Sequence, residues 1–224
     1  MARAGGEARP RLDPRTWGLF VITDRQQTGR RSLDAVVGEA LAGGARAFQL
    51  REKDLPARDL CRLAERLLVR TRPAGALLLI NDRVDVALGI GADGAHLTRR
   101  SLPPAAARAL LRPGMRLGVS CHTREEALEA AEGGADFVLL GPIFATPSKA
   151  AYGRPAGPGL IRQVRPAVAC AVLAVGGITA ANAGEVLEAG ADGVAVISAV
   201  MGAPDVAAAT RALLAAVRRA PRPI

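Results

Sequence analysis

One short turn recurs along this 224-residue chain: Gly43-Gly44-Ala45, Gly91-Ala92-Asp93-Gly94, Gly133-Gly134-Ala135-Asp136 and Gly190-Ala191-Asp192-Gly193. Each copy follows an amphipathic segment and precedes a short apolar run. A glycine just past a helix end supplies the left-handed residue that stops the helix. Four near-copies of one helix-to-strand turn imply that a single βα unit is being reused. Apolar runs fall at 19–23, 45–50, 76–80, 94–97, 116–120, 136–140, 171–175 and 193–197. Several, such as Leu77-Leu78-Leu79-Ile80, are apolar throughout, as strands buried on both faces are. Helix-like segments lie between them, at 32–42, 57–70, 84–90, 103–111, 124–132, 159–168, 180–189 and 203–219. Ser101 ahead of Pro103-Pro104, and Thr123 ahead of Glu125-Glu126, read as helix-start signals. Eight strands alternating with eight helices is the count of a single (β/α)8 barrel, an α/β fold. The competing doubly wound sheet calls for a glycine-rich dinucleotide turn after the first strand, and Thr23-Asp24-Arg25-Gln26 is not one.

The barrel is expected to span 19–217. Residues 1–18 are polar, basic and Pro/Gly-containing, without the apolar core of a signal peptide, and read as a disordered extension. Residues 218–224 read as a basic tail. No apolar run reaches the roughly 18 residues a membrane helix needs. With 50% hydrophobic residues the chain has material for a core and needs no staples. Cys61, Cys121 and Cys170 are odd in number and lack CxxC spacing, which speaks against disulfides and structural zinc and for a reducing, cytoplasmic setting. The oligomeric state is left open, with a homodimer among the forms allowed.

The formal net charge of +9 points to anionic partners. At 3% aromatic residues the chain is poor material for stacking on nucleic-acid bases, so a small phosphorylated molecule is the better candidate. Of 30 Lys and Arg only two are lysine, Lys53 and Lys149, and both fall in loops after predicted strands. Lysine is a compact, mobile point charge suited to phosphate oxygens. In this barrel class the active residues gather where strands end. Those edges carry Gln49, Arg51 and Lys53, then Asn81-Asp82, His96 through Ser101, Ser120-Cys121-His122, the stretch from Gly141 to Lys149, Gly176-Gly177 and Ile197-Ser198. The Gly176-Gly177 turn offers bare N–H groups to a phosphate, with Ile197-Ser198 as the opposite wall. Asp82 suits Mg2+, which takes one or two carboxylates plus substrate phosphates, and equally suits an N-cap. His96, His122 and Asn182 read as structural or supporting residues, and Cys121 as a small apolar filler. Two phosphate sites in one cavity suggest transfer chemistry on a diphosphate ester.

The segments Ile22-Thr23-Asp24-Arg25, Gln49-Leu50-Arg51-Glu52-Lys53, Asn81-Asp82, Gly118-Val119-Ser120, the run from Gly141 to Lys149 and Gly176-Gly177-Ile178-Thr179 resemble the thiamine phosphate synthase family, over about 19–200. The resemblance implies a (β/α)8 barrel that joins a hydroxymethylpyrimidine diphosphate to a thiazole phosphate with Mg2+, releasing pyrophosphate. It further implies that Gln49, Arg51, Lys53, Asn81, Ser120 and Lys149 hold the pyrimidine diphosphate, and that Asp82 binds the metal. Arg51, Lys53, Lys149 and Ser120 would serve the chemistry. Thr146, Ser148, Gly177, Ile197 and Ser198 would contact the thiazole phosphate. In the family the diphosphate leaves first and the thiazole nitrogen captures the resulting pyrimidine-stabilised cation. Where the family usually reads His-Leu-Gly-Gln-Glu-Asp, this chain reads His96-Leu97-Thr98-Arg99-Arg100-Ser101, so Ser101 takes the place of a second acidic metal ligand. Two alternatives remain. One is the related thiazole tautomerase, whose catalytic His position is Pro142 here. The other is a non-catalytic binder of phosphorylated thiamine intermediates.

Overall fold

The computed structural model describes residues 13–146 and 155–220. Eight parallel strands close on themselves in the order β1 to β8: Leu19–Ile22, Ala47–Leu50, Leu77–Asn81, Gly94–Leu97, Arg116–Cys121, Phe137–Leu140, Ala171–Val175 and Gly193–Val196. The helices, in chain order, are α1 Pro14–Trp17, α2 Leu33–Ala42, α3 Ala57–Thr71, α4 Val84–Ile90, α5 Pro104–Leu110, α6 Arg124–Glu132, α7 Gly159–Val164, α8 Ala183–Glu188, α9 Ser198–Met201 and α10 Val206–Arg219. Because all strands are parallel, their C-terminal ends share one mouth of the barrel.

Side chains alternate across each strand, so one set fills the barrel and the other meets the helices. The interior set holds Phe20, Ala47, Leu77, Leu79, Phe137, Leu139, Leu173 and Ala195. Such a centre is a packed core and not a pore. Its floor is closed by Trp17, which stacks on Phe20 at 5.5 Å and meets the edge of Phe137 at 5.1 Å. This moves the boundary expected from sequence. Residues 14–17 form a helical turn, capped by Asp13, that delivers a buried tryptophan, so an ordered segment begins ahead of residue 19. The other end shifts too, since α10 runs to Arg219, past the expected boundary at 217. Residues 1–12 and 221–224 lie outside the described part.

The recurring Gly-Ala-Asp turn has a physical reason beyond its glycines. Asp93 accepts the Leu78 N–H, Asp136 that of Leu117 and Asp192 that of Val172, each at 2.8 Å. Each aspartate leading into one strand thus reaches back to the start of the strand before it, satisfying a donor the ladder leaves open. Asp136 also pairs with Arg116 at 3.0 Å and Arg108 at 3.2 Å, and Asp192 with Arg165 at 2.7 Å. The first copy has Arg46 in the aspartate's place, which donates to the carbonyls of Leu41 and Ala45. Asp136→Ala leaves the Leu117 N–H without its acceptor and removes an ion-pair partner from both Arg108 and Arg116, an expected loss of about 1–3 kcal/mol that thermal unfolding would register.

Candidate active site

The mouth is built from strand ends that register brings together. Gln49 on β2 donates from Nε2 to Asn81 Oδ1 on β3 at 2.8 Å. Asn81 is level with His96 on β4, and His96 with Gly118 on β5. His96 Nε2 lies 2.8 Å from Ser120 Oγ. A polar row therefore runs across four neighbouring strands, above an apolar core. Gln49 is 1% exposed, and its Oε1 has no hydrogen-bond partner among the described residues.

The loop after β2 is pinned from β1. Thr23 Oγ1 donates to Glu52 at 2.7 Å and accepts the Arg51 N–H at 3.0 Å. Glu52 is buried, and its charge is compensated by the Arg25 N–H at 3.2 Å and the Arg25 guanidinium at 3.1 Å. Asp54 holds the same guanidinium at 2.5 Å, which keeps the Asp54 carboxyl below the usual carboxylate range. The clamp fixes the backbone that carries Arg51, half-buried, and Lys53, exposed. Sequence reasoning gave Thr23, Arg25 and Glu52 no role. The signal was an acid, Glu52, placed between the two cations Arg51 and Lys53.

Asp82 follows β3 with an exposed carboxylate and φ 64, the positive-φ residue other than glycine among those described. Its N–H donates to the His96 carbonyl at 2.7 Å. The N-cap reading of Asp82 is not what the structure holds: α4 is capped at Arg83, without a side-chain bond. A left-handed aspartate costs backbone energy, and such strain collects at functional sites. Ser101 is engaged elsewhere. Its Oγ accepts the Thr98 N–H at 2.7 Å and lies 3.2 Å from Thr98 Oγ1, closing a turn instead of opening α5, whose cap is Pro103.

Opposite the cations, the loops after β6 and β7 are laced together. Ile143 N donates to Val175 O at 2.9 Å and Phe144 N to Gly176 O at 3.0 Å. Gly177 has φ 66, and a Cβ there would sit 2.7 Å from the Ala145 carbonyl oxygen. Asn182 locks the turn, donating to Gly177 O at 2.9 Å and accepting the Thr179 N–H at 2.8 Å. Its expected structural role is met: it stands at the N-cap position of α8 without a side-chain cap bond, and its side chain braces the glycine loop instead. Thr146 lies on the β6 loop beside it, and Ile197-Ser198 follow β8 at the same end. Ser148 and Lys149 lie outside the described residues.

His122 bonds the Gly141 carbonyl through Nδ1 and reaches Glu126 through its N–H. Burial, then Glu126, pushes the Cys121 thiol up to about 12. A thiol so placed stays protonated at neutral pH, which removes it as a nucleophile. Iodoacetamide at pH 8 is expected to label Cys121 in the folded protein at least about a hundredfold more slowly than after denaturation. At the opposite end of the barrel, a cleft of about 480 Å³ is bordered by Asp13, Arg15, Arg116 and Asp136. Its charges neutralise one another through the pairs Arg15–Asp13 and Arg116–Asp136.

A closed parallel barrel that gathers cations, a carboxylate and a braced glycine turn at its C-terminal mouth has the layout of a (β/α)8 enzyme. The family model for thiamine monophosphate synthase (TMP-TENI) matches residues 19–200, and the chain belongs to that family. It is 53% identical over 199 residues to a putative thiamine-phosphate synthase of Geobacter sulfurreducens, covering 89% of this chain and 93% of that one. It is 52% identical over 195 residues to the thiamine-phosphate synthase of Roseiflexus castenholzii, covering 87% and 86%. The solved thiamine phosphate pyrophosphorylase of Pyrococcus furiosus superposes with a TM-score of 0.82 at 42% identity, over 90% of this chain and 96% of that one. Among the described residues no helix is long and apolar enough to cross a membrane.

Proposed function

We propose that this chain joins a hydroxymethylpyrimidine diphosphate to a thiazole phosphate, giving thiamine phosphate and pyrophosphate. The observation that carries the reading is the unmet acceptor of Gln49, buried beside Asn81 and directly below the Arg51 loop. A buried polar atom without a partner is costly, and the amino group of an aminopyrimidine would satisfy it. In the reaction the methylene–oxygen bond breaks with its electron pair going to the diphosphate. The thiazole nitrogen then donates its lone pair to the methylene carbon. No proton is moved, so no general base is required. Arg51 and Lys53, with Lys149, would face the charge that grows on the departing diphosphate, where fixed cations contribute most. The Gly177 turn and Ile197-Ser198, with Thr146 and Ser148, would take the thiazole phosphate.

The donor set fits Mg2+ only if the diphosphate supplies most of the ligands. Asp82 offers one carboxylate, and Ser101 is already bonded to Thr98 N. Among the described residues no three metal-ligating acids, histidines or cysteines cluster. When bound, the ion would neutralise charge on the leaving diphosphate. The protein alone is therefore expected to bind Mg2+ weakly, and more tightly once the pyrimidine diphosphate is present. Ser101→Asp is expected to lower the Mg2+ concentration for half-maximal turnover without altering the product. An equal Mg2+ requirement in the two proteins contradicts that expectation. The overall reading is tested by incubating the chain with both substrates and Mg2+ and separating the products. Thiamine phosphate is expected. Interconversion of thiazole isomers alone would indicate the tautomerase, and binding of thiazole phosphate without conversion the non-catalytic binder.

A further inference from the structure

His96 is out of character with its surroundings. Its ring is 1% exposed and sits inside the barrel between Phe137, at 5.8 Å, and Phe20, at 6.5 Å. Gly118 on the neighbouring strand makes room for it: a Cβ there would fall 2.5 Å from His96 Nδ1 and 2.3 Å from the Phe137 ring. A ring held this closely cannot turn. Nδ1 has no partner among the described residues, so the ring's hydrogen bonding is concentrated in the contact to Ser120. An apolar ring would fill the same space without burying an unmet nitrogen, so packing stability gives no reason for an imidazole here. What the imidazole adds is one fixed polar atom beneath a half-buried serine at the mouth.

The tautomer follows from the orphan. A buried N–H without an acceptor is rarer in folded proteins than an under-used acceptor. The proton therefore belongs on Nε2, with the lone pair on Nδ1. A second proton on Nδ1 would be a buried donor without an acceptor, so the ring carries a single N–H. A hydroxyl that accepts from Nε2–H has its own hydrogen left for another acceptor.

We propose that His96 is a positioning residue: its Nε2–H donates to Ser120 Oγ and turns the Ser120 hydroxyl hydrogen into the barrel mouth, as a donor to the pyrimidine diphosphate. The inference rests on the function proposed above for the identity of the substrate. It does not rest on it for the contact itself.

Two measurements test it. In the first, the ring nitrogens of 15N-histidine-labelled full-length protein are read by long-range NMR at neutral pH. His96 is expected with Nε2 protonated and Nδ1 bare, and Ser120→Ala is expected to shift the Nε2 resonance. A proton on Nδ1, or an Nε2 resonance unmoved by Ser120→Ala, overturns the proposal. In the second, turnover is compared for His96→Phe, Ser120→Ala, the double variant and His96→Gln, which restores an N–H at similar reach. His96→Phe and Ser120→Ala are each expected to lower kcat about tenfold to a hundredfold, as loss of a hydrogen bond to a charged group does. KM for thiazole phosphate should stay unchanged. The double variant should match Ser120→Ala within twofold, and His96→Gln should recover most of the loss. Effects that multiply in the double variant mean that His96 acts by packing alone, and refute the positioning role. If His96→Phe does not fold, the NMR comparison decides. If wild type forms no thiamine phosphate, the proposed function fails while the NMR result still judges the contact.

Discussion

Asp82→Asn is expected to lower thiamine phosphate formation by about a thousandfold, the scale on which losing a principal electrostatic contact slows an enzyme. The choice of asparagine matters. Asp82 has φ 64, a conformation that asparagine and aspartate tolerate better than other residues with a Cβ. The substitution thus removes charge with little change in backbone or volume. Other carboxylates near the mouth offer no replacement, because Glu52 is held by Thr23 and Arg25, and Asp54 by Arg25. Asp82→Gly separates function from stability more sharply. Glycine adopts positive φ without steric cost, so this variant should melt at or above the wild-type temperature while losing the same activity. A variant less stable and equally active would mean that Asp82 is a structural turn residue.

Gly177→Ala is expected to raise KM for thiazole phosphate by about a hundredfold or more and to leave KM for the pyrimidine diphosphate within about threefold, since one phosphate contact supplies a few kcal/mol of binding. The added Cβ would lie 2.7 Å from the Ala145 oxygen and 2.8 Å from Phe144 Cβ. The Phe144 N–H bond to the Gly176 carbonyl and the Asn182 side-chain amide bond to the Gly177 carbonyl leave the loop little room to yield. Positive φ adds roughly 1–2 kcal/mol of strain for a residue with a Cβ. Gly75→Ala supplies the control, because Gly75 has φ 65 and nothing within 4 Å of its would-be Cβ. It should lose stability by the same backbone penalty and keep wild-type kinetics. Equal KM shifts in the two variants would show that Gly177 acts through general destabilisation.

The barrel was legible because its information is local. Apolar runs such as Leu77-Leu78-Leu79-Ile80 mark buried strands, and the Gly-Ala-Asp copies mark where each unit closes. Boundaries blurred where loops carry their own bonds. The helix expected over 180–189 forms as Ala183–Glu188, because Asn182 and Thr179 are committed to the Gly177 turn. The stretch expected as a helix over 203–219 forms as Val206–Arg219, capped by Asp205, and is preceded by the separate short α9. What stayed hidden depends on contacts between distant segments. Trp17 stands alone in a polar, basic stretch, and only closure of the barrel brings Phe137 against it. The candidate residues themselves were read from strand ends, since parallel topology puts every such end at one mouth. The bonds that orient them, Glu52 to Arg25 and His96 to Ser120, are set by register, which composition and periodicity do not encode.

In the proposed reaction this mouth couples departure of the diphosphate to capture of the resulting carbon by the thiazole nitrogen. The direct test is 31P NMR of a single sample holding the protein, both substrates and Mg2+. Pyrimidine diphosphate is expected to disappear while thiamine phosphate and pyrophosphate appear in equimolar amounts. Pyrophosphate accumulating without thiamine phosphate, or an unchanged spectrum, would contradict it.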